Sequence, residues 1–204
     1  MSEEKNLKSI VYIVDDDQAI RHAMGLLLKS VGLQHQVFES ADDFLEHHTG
    51  NNDGCLVLDI RMPGLSGLEL QQKLTEMGSA LPIIFITGHG DIPMAVDAMQ
   101  KGAFDFIQKP FRDQELLDRI SEALSTARKR EAEREHKLKV QDRIATLTKR
   151  EHEVLDLVVT GKPNKIIAHE LGVSQRTIEI HRARVMDKMR AKSLAQLVRM
   201  HMAA

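Results

Sequence analysis

SIVYIVDDDQAIRHAMGLLLKSVG, residues 9–32, changes its period halfway along. The run SIVYIV over 9–14 is almost wholly apolar and rich in β-branched side chains, which suits a strand buried on both faces. After Asp15, Asp16 and Asp17 the apolar positions recur as Ile20, Met24, Leu27, Leu28 and Val31. That is helical spacing, and it stops at Gly32, the residue a helix C-terminus favours. A buried strand, a polar loop and an amphipathic helix make half of a β-α-β unit, so the fold depends on whether the pattern repeats.

It repeats. β-rich runs at 35–39, 55–59, 82–87 and 104–108 alternate with further stretches of helical period. Strands alternating with helices predict an α/β fold: a five-stranded parallel, doubly wound (flavodoxin-like) sheet with right-handed crossovers. The first, third and fourth strands are nearly all apolar, as central strands of such a sheet must be.

Composition agrees with a folded protein, since 42% hydrophobic and 28% charged residues among 204 exclude extensive disorder. MSEEKNLK has no apolar segment, and nowhere do about eighteen apolar residues run together, so neither a signal peptide nor a membrane span is expected. The chain reads as cytoplasmic. The single cysteine, Cys55, rules out an internal disulfide, and its setting, GCLVL, points to a buried structural thiol. The net charge of −2 hides a division. Residues 1–125 hold 10 Lys and Arg against 20 Asp and Glu, or −10, while 126–204 hold 18 against 10, or +8. An acidic module joined to one that meets a polyanion, most plausibly nucleic acid, is the expectation.

The expected domains are 1–125, a helical linker over 126–143, and a C-terminal all-α domain over 144–204. The linker, ARKREAEREHKLKVQDR, lacks Gly and Pro. Heptad positions from Leu117 to Ala145 are half polar or Ala, which leaves two readings open: a solvated helix, or one with a weak pairing tendency. In the last domain Thr148–Glu151 and Ser193–Gln196 read as capping boxes, and Ser174 as an N-cap. Leu147, Val154, Leu155, Val158, Ile166, Ile167, Leu171, Ile178, Val185, Met189, Leu194 and Leu197 supply one small core for four helices.

Function concentrates at one edge of the sheet. Asp15, Asp16 and Asp17 follow the first strand, Asp59 ends the third, Thr87 ends the fourth and Lys109 follows the fifth. In a doubly wound sheet these ends share the crevice where ligands bind. Three adjacent carboxylates repel one another, so a compensating partner is needed, and a small set of carboxylate oxygens suits Mg²⁺. Each residue also has an ordinary reading: Asp17 as a helix-start residue, Thr87 as a strand end, Lys109 as a solvated loop cation.

IVDDD, LVLDIRMPGLSG, ITGHGD and FIQKPF together resemble the receiver domain of two-component response regulators over residues 8–125. The resemblance implies Asp59 as phosphoacceptor, and Asp15, Asp16, Asp59 and the backbone carbonyl of Arg61 as Mg²⁺ ligands. It further implies Lys109 as the phosphate-binding lysine, with Thr87 assisting, and Thr87 with Phe106 as paired switch residues. A cis bond before Pro110 and tuning of dephosphorylation at Arg61 and His89 are also implied. LTKREHEVLDLVVTGKPNKIIAHELGVSQRTIEIHRARVMDKMRAKSLAQLVR is similar to the LuxR-type helix-turn-helix output of FixJ-like response regulators.

Helical spacing within that output turns Ile178, Val185 and Met189 inward and Thr177, Glu179, Ile180, Arg182, Ala183 and Arg184 outward. By resemblance Glu179, Ile180 and Ala183 face base edges, while Lys165, Thr177 and Arg184 meet phosphates. Glu179 can accept from cytosine N4, or merely pair with Arg182; His181 reads as a packing residue. The module is only +5, with 11 Lys and Arg against 6 Asp and Glu over 144–204, so pairing of two modules is the natural control.

The implied partners are a sensor histidine kinase, double-stranded promoter DNA with two half-sites and a second copy of the chain, with RNA polymerase as a further allowed contact and no membrane. The chain is not expected to be a conventional enzyme beyond accepting, and itself losing, the phosphoryl group on Asp59. Two rivals stay open: a Mg²⁺ phosphohydrolase built on Asp15 and Asp17, which the Ala19 of DDDQA disfavours, and a phosphate-blind interaction module.

Overall fold

The computed structural model describes residues 9–48, 50, 53–88 and 92–203. It divides into two compact units, Met1–Glu131 and Ala132–Ala204. The first contains β1 (Ile10–Val14), α1 (Gln18–Ser30), β2 (Gln34–Phe38), α2 (Ala41–His47), β3 (Gly54–Asp59), α3 (Gly67–Glu76), β4 (Ile83–Thr87), α4 (Ile92–Gln100) and β5 (Asp105–Gln108). A long helix follows, α5 (Asp113–Ala145), and then α6 (Lys149–Val159), α7 (Asn164–Glu170), α8 (Gln175–Met189) and α9 (Leu194–Ala203).

All strands are parallel, in the order β2-β1-β3-β4-β5, so the three nearly all-apolar runs occupy the centre. Side chains alternate between two cores. Tyr12, Val14, Leu56, Leu58 and Phe85 pack with Phe44, Leu70 and Ala95 of α2, α3 and α4 on one face. Val11, Ile13, Val57, Ile84 and Ile86 pack with Met24 and Leu28 of α1 and with Leu116 and Ile120 of α5 on the other. Cys55 belongs to this second core; burial pushes its thiol up to about 12, which leaves it inert as expected. Gly32 takes φ +74 just past the α1 C-cap, the left-handed geometry expected of it.

Helix α5 runs unbroken to Ala145, so the charged stretch over 126–143 is helical. Val140 within it is fully buried in the core of the second unit, with Ile144 packed beside it. Two residues expected in that core lie outside it. Ile166 is 44% exposed because α7 is short and its neighbour Ile167 takes the inward position; Leu194, 41% exposed, stands at the first residue of α9, beyond the core's edge. Thr148 and Glu151 form the reciprocal capping box. Ser193 and Gln196 form only half of theirs: Ser193 Oγ accepts from Gln196 N, but the Gln196 amide oxygen accepts from Lys192 N instead of Ser193 N.

Glu151 carries more than its cap. Its carboxylate is buried and accepts from Lys188 Nζ of α8 at 2.6 Å. That bond, joined by the N–H of Thr148, holds its pKa down to about 2 from an ordinary 4.5. A folded-state value below the unfolded one adds stability above pH 4.5 that is lost as pH falls through 4.5 toward 2. Lys188→Met, which strands a buried carboxylate, should cost about 2 kcal/mol at neutral pH. Denaturant melts at pH 7 and pH 3 check this: the gap between wild type and variant should be narrower at pH 3.

Candidate functional site

The sheet order reverses between β1 and β3, and the C-terminal ends of these strands open the crevice in which the strand-end residues meet. Asp15 follows β1 and is 1% exposed. Its Oδ1 accepts from Asp17 N at 2.8 Å and its Oδ2 from Lys109 Nζ at 3.0 Å. Asp59, at the end of β3, accepts from Lys109 Nζ at 2.8 Å through Oδ2 and from Arg61 N at 3.2 Å through Oδ1. One ammonium therefore bridges two carboxylates from different strands. Burial raises the Asp15 pKa; the bonds from Lys109 and from Asp17 N oppose that shift without cancelling it. For Lys109, burial pulls the other way, but its contacts with Asp59 and Asp15 prevail and raise its pKa.

Asp16 is exposed, and a carboxylate oxygen from each of Asp15, Asp16 and Asp59 lies within 4.8 Å of the others, a group that could hold a metal ion. Hard oxygen donors of this kind fit a divalent cation such as Mg²⁺. Asp17 does a different job. Its side chain caps α1, accepting from Ala19 N and Ile20 N. The loop has a further support that sequence reading missed: Arg21 Nη1 of α1 donates to the Asp15 backbone oxygen at 2.6 Å. No local pattern advertises an arginine bonded to a main-chain carbonyl.

Thr87 ends β4, fully buried, and its Oγ1 has no hydrogen-bond partner among the described residues. A buried hydroxyl left unpaired is costly, so its presence at the crevice suits a group that arrives from outside. Phe106, whose register partner on β4 is Phe85, is half-buried against the first core. Lys109 N donates to Thr87 O at 2.7 Å, and the Lys109–Pro110 bond is cis. His89 lies outside the described residues.

Gly67 closes the loop after β3. A Cβ on it would lie 2.2 Å from the Asp59 carbonyl oxygen, and its N–H donates to Ile60 O at 3.0 Å. Ser66 and Glu69 form a capping box at the start of α3, and the Ser66 hydrogen bonds lower the Glu69 pKa. The GLSG of the sequence is thus the turn that returns the chain against Asp59.

In the second unit Ile178, Val185 and Met189 of α8 are buried, as expected. Glu179, Ile180, Ala183, Arg184 and Lys165 are exposed and Thr177 is half-buried. Ser174 caps α8 by accepting from Thr177 N. Arg182 departs from the expected outward face. It follows Ile178 by four residues, which places it on the same side, and its Nη1 donates to Asn164 Oδ1 of α7 at 2.9 Å. Glu179 pairs with Arg176 at 3.4 Å, not with Arg182. His181 is half-buried, in keeping with packing. Among the described residues no helix is long and apolar enough to cross a membrane.

Comparison with known proteins supports both halves. Residues 11–121 match the response regulator receiver domain, and 145–201 match the bacterial regulatory proteins of the luxR family. The chain is 48% identical to nodulation protein W of Bradyrhizobium diazoefficiens over 97% of its own length and 87% of that protein. It is 44% identical to the transcriptional regulatory protein FixJ of Azorhizobium caulinodans, covering 95% and 92%. The low-resolution structure of the response regulator StyR superposes with a TM-score of 0.88 at 45% identity, covering 97% of this chain and all of that one. With its crevice at the end of a receiver sheet and its recognition-type helix in a LuxR-type unit, the chain belongs to the two-component response regulators that carry a DNA-binding output domain.

Proposed function

We propose that the chain is a cytoplasmic, phosphorylation-dependent transcriptional regulator whose phosphoacceptor is Asp59. The observation that carries this reading is the bridge from Lys109 Nζ to Asp59 and Asp15, beside a buried threonine hydroxyl with no partner among the described residues. A carboxylate oxygen of Asp59 forms the new P–O bond as the P–N bond of a phosphohistidine on the sensor kinase breaks. Asp15, Asp16, Asp59 and the Arg61 carbonyl would hold Mg²⁺, which offsets the negative charge of the incoming group. Lys109 then exchanges a carboxylate contact for a phosphoryl oxygen, and Thr87 Oγ1 gains its missing partner.

Movement of Thr87 toward the phosphoryl group vacates space into which Phe106 turns, a local charge event that biases a two-state element. The altered face promotes pairing of two chains or release of the output unit. Paired units then bind two promoter half-sites, with Glu179, Ile180 and Ala183 at base edges and Lys165, Thr177 and Arg184 at phosphates. Arg182, tied to Asn164, orients α8 on α7 as much as it meets DNA. RNA polymerase is then the contact through which the bound form acts. The chain is a substrate of phosphotransfer and not a conventional enzyme; loss of its own phosphoryl group is the only turnover assigned to it.

Incubation of the full-length protein with Mg²⁺ and acetyl phosphate tests the reading. One phosphoryl group per chain is expected by intact mass, accompanied by tighter promoter binding; absence of both would end it. The acidic triplet offers a separate check by calorimetric Mg²⁺ titration. Asp16→Asn should weaken Mg²⁺ binding roughly 10-fold or more, the scale on which lost metal-site partners act. Asp17→Asn should leave it within about 2-fold, because asparagine caps a helix as well as aspartate does.

A further inference from the structure

A glycine in the interior of a helix costs about 0.5–1 kcal/mol relative to alanine. Helix α1 nevertheless carries Gly25 at its centre, buried, and nothing proposed above uses it. A Cβ there would lie 3.0 Å from His35 Nε2 on β2. The missing side chain leaves room for His35, which with Gly25 lines a groove of about 620 Å³ between α1 and β2. Ala19, Leu26 and Val37 give the groove apolar walls, and Leu26 and Val37 are 55% and 47% exposed.

The polar part of the lining is one-sided. Arg21, His22, Lys29 and His35 reach the groove, and among the described residues no carboxylate does. This occurs in the half of the chain where 20 acids outnumber 10 bases. His22, Lys29 and His35 have no ion-pair partner among the described residues. A hydrocarbon surface beside two cations, Arg21 and Lys29, and two imidazoles matches the make-up of a small-ligand site, apolar walls with a few placed polar groups.

We propose that this groove binds a small amphiphilic anion, an alkyl or aryl carboxylate or sulfonate. Its apolar body covers Leu26 and Val37 and its head group lies within reach of Arg21 and Lys29. Arg21 gives the site a link to the crevice, because the same guanidinium donates to the Asp15 backbone oxygen. None of this requires a phosphoryl group on Asp59, so the outcome is independent of the proposed function.

Isothermal titration of the full-length protein with sodium octanoate and with octylammonium chloride separates charge from tail. Octanoate should occupy one site, with octylammonium weaker by roughly 10-fold or more, the measure of a complementary against a like charge. Lys29→Ala and Val37→Asp, both at exposed positions, should each weaken octanoate by about 5-fold or more while melting as the wild type does. Equal binding of the two amphiphiles, or indifference of both variants, overturns the proposal. So does the absence of octanoate binding, including the case in which a peptide of alternating Glu and Val binds in its place and assigns the groove to a protein partner.

Discussion

Asp59→Asn is expected to take up no phosphoryl group from acetyl phosphate and Mg²⁺ under conditions that label the wild type fully. The exchange is nearly isosteric, so the fold should survive: the amide oxygen can still accept from Arg61 N, the bond now made by Oδ1. What is lost is the second carboxylate oxygen, the one that accepts from Lys109 at 2.8 Å. An amide nitrogen offers phosphorus no competent lone pair, and it cannot accept from an ammonium. Lys109 keeps Asp15 as its partner, so the crevice changes by one charge and does not collapse. Intact mass before and after labelling decides the matter. Uptake equal to the wild type would move the acceptor to another carboxylate, with exposed Asp16 the first to test.

The second large effect is expected at Gly67. An alanine Cβ would sit 2.2 Å from the Asp59 carbonyl oxygen and 3.1 Å from Ile60 Cα, and both are main-chain atoms that no side-chain rotation can move aside. The chain must open between β3 and α3. Gly67→Ala should therefore cost about 3 kcal/mol or more, the range in which a core clash unfolds a marginal domain. Gly32→Ala is the control. Gly32 has φ +74, and a Cβ added to it would meet nothing within 4 Å, so only left-handed strain of about 1 kcal/mol applies. Urea melts of the three proteins should rank wild type, Gly32→Ala, Gly67→Ala. If the two variants melt together, the approach to Asp59 is not the constraint.

The strand pattern was legible because central parallel strands are buried on both faces, which leaves runs such as IVYIV and CLVLD with little polar interruption. Strand β2 is an edge, mostly exposed, and still read correctly from its β-rich composition. The strand-end residues were legible because parallel strands deliver their C-terminal ends to one side. Contacts made by a residue across space left no such trace. Arg21 on the Asp15 carbonyl and Val140 in the second core depend on tertiary position, and Val140 lies off the heptad positions counted from Leu117, one of which, Leu138, is half exposed. Arg182 was misplaced for a simpler reason: four residues is about one helical turn, so it shares a side with Ile178 and reaches α7.

The ammonium that joins Asp15 to Asp59 is separated from them by 94 and 50 residues. It follows the last strand of the sheet to leave the ribosome. A nascent receiver that has emerged only through β4 already carries its whole acidic cluster, yet lacks the cation that offsets it. The cluster is complete long before it is neutralised, and neutralisation waits until β5 has docked beside β4. With the lysine placed there, the charge balance of the crevice depends on the last strand of the sheet as much as on the strands that carry the acids.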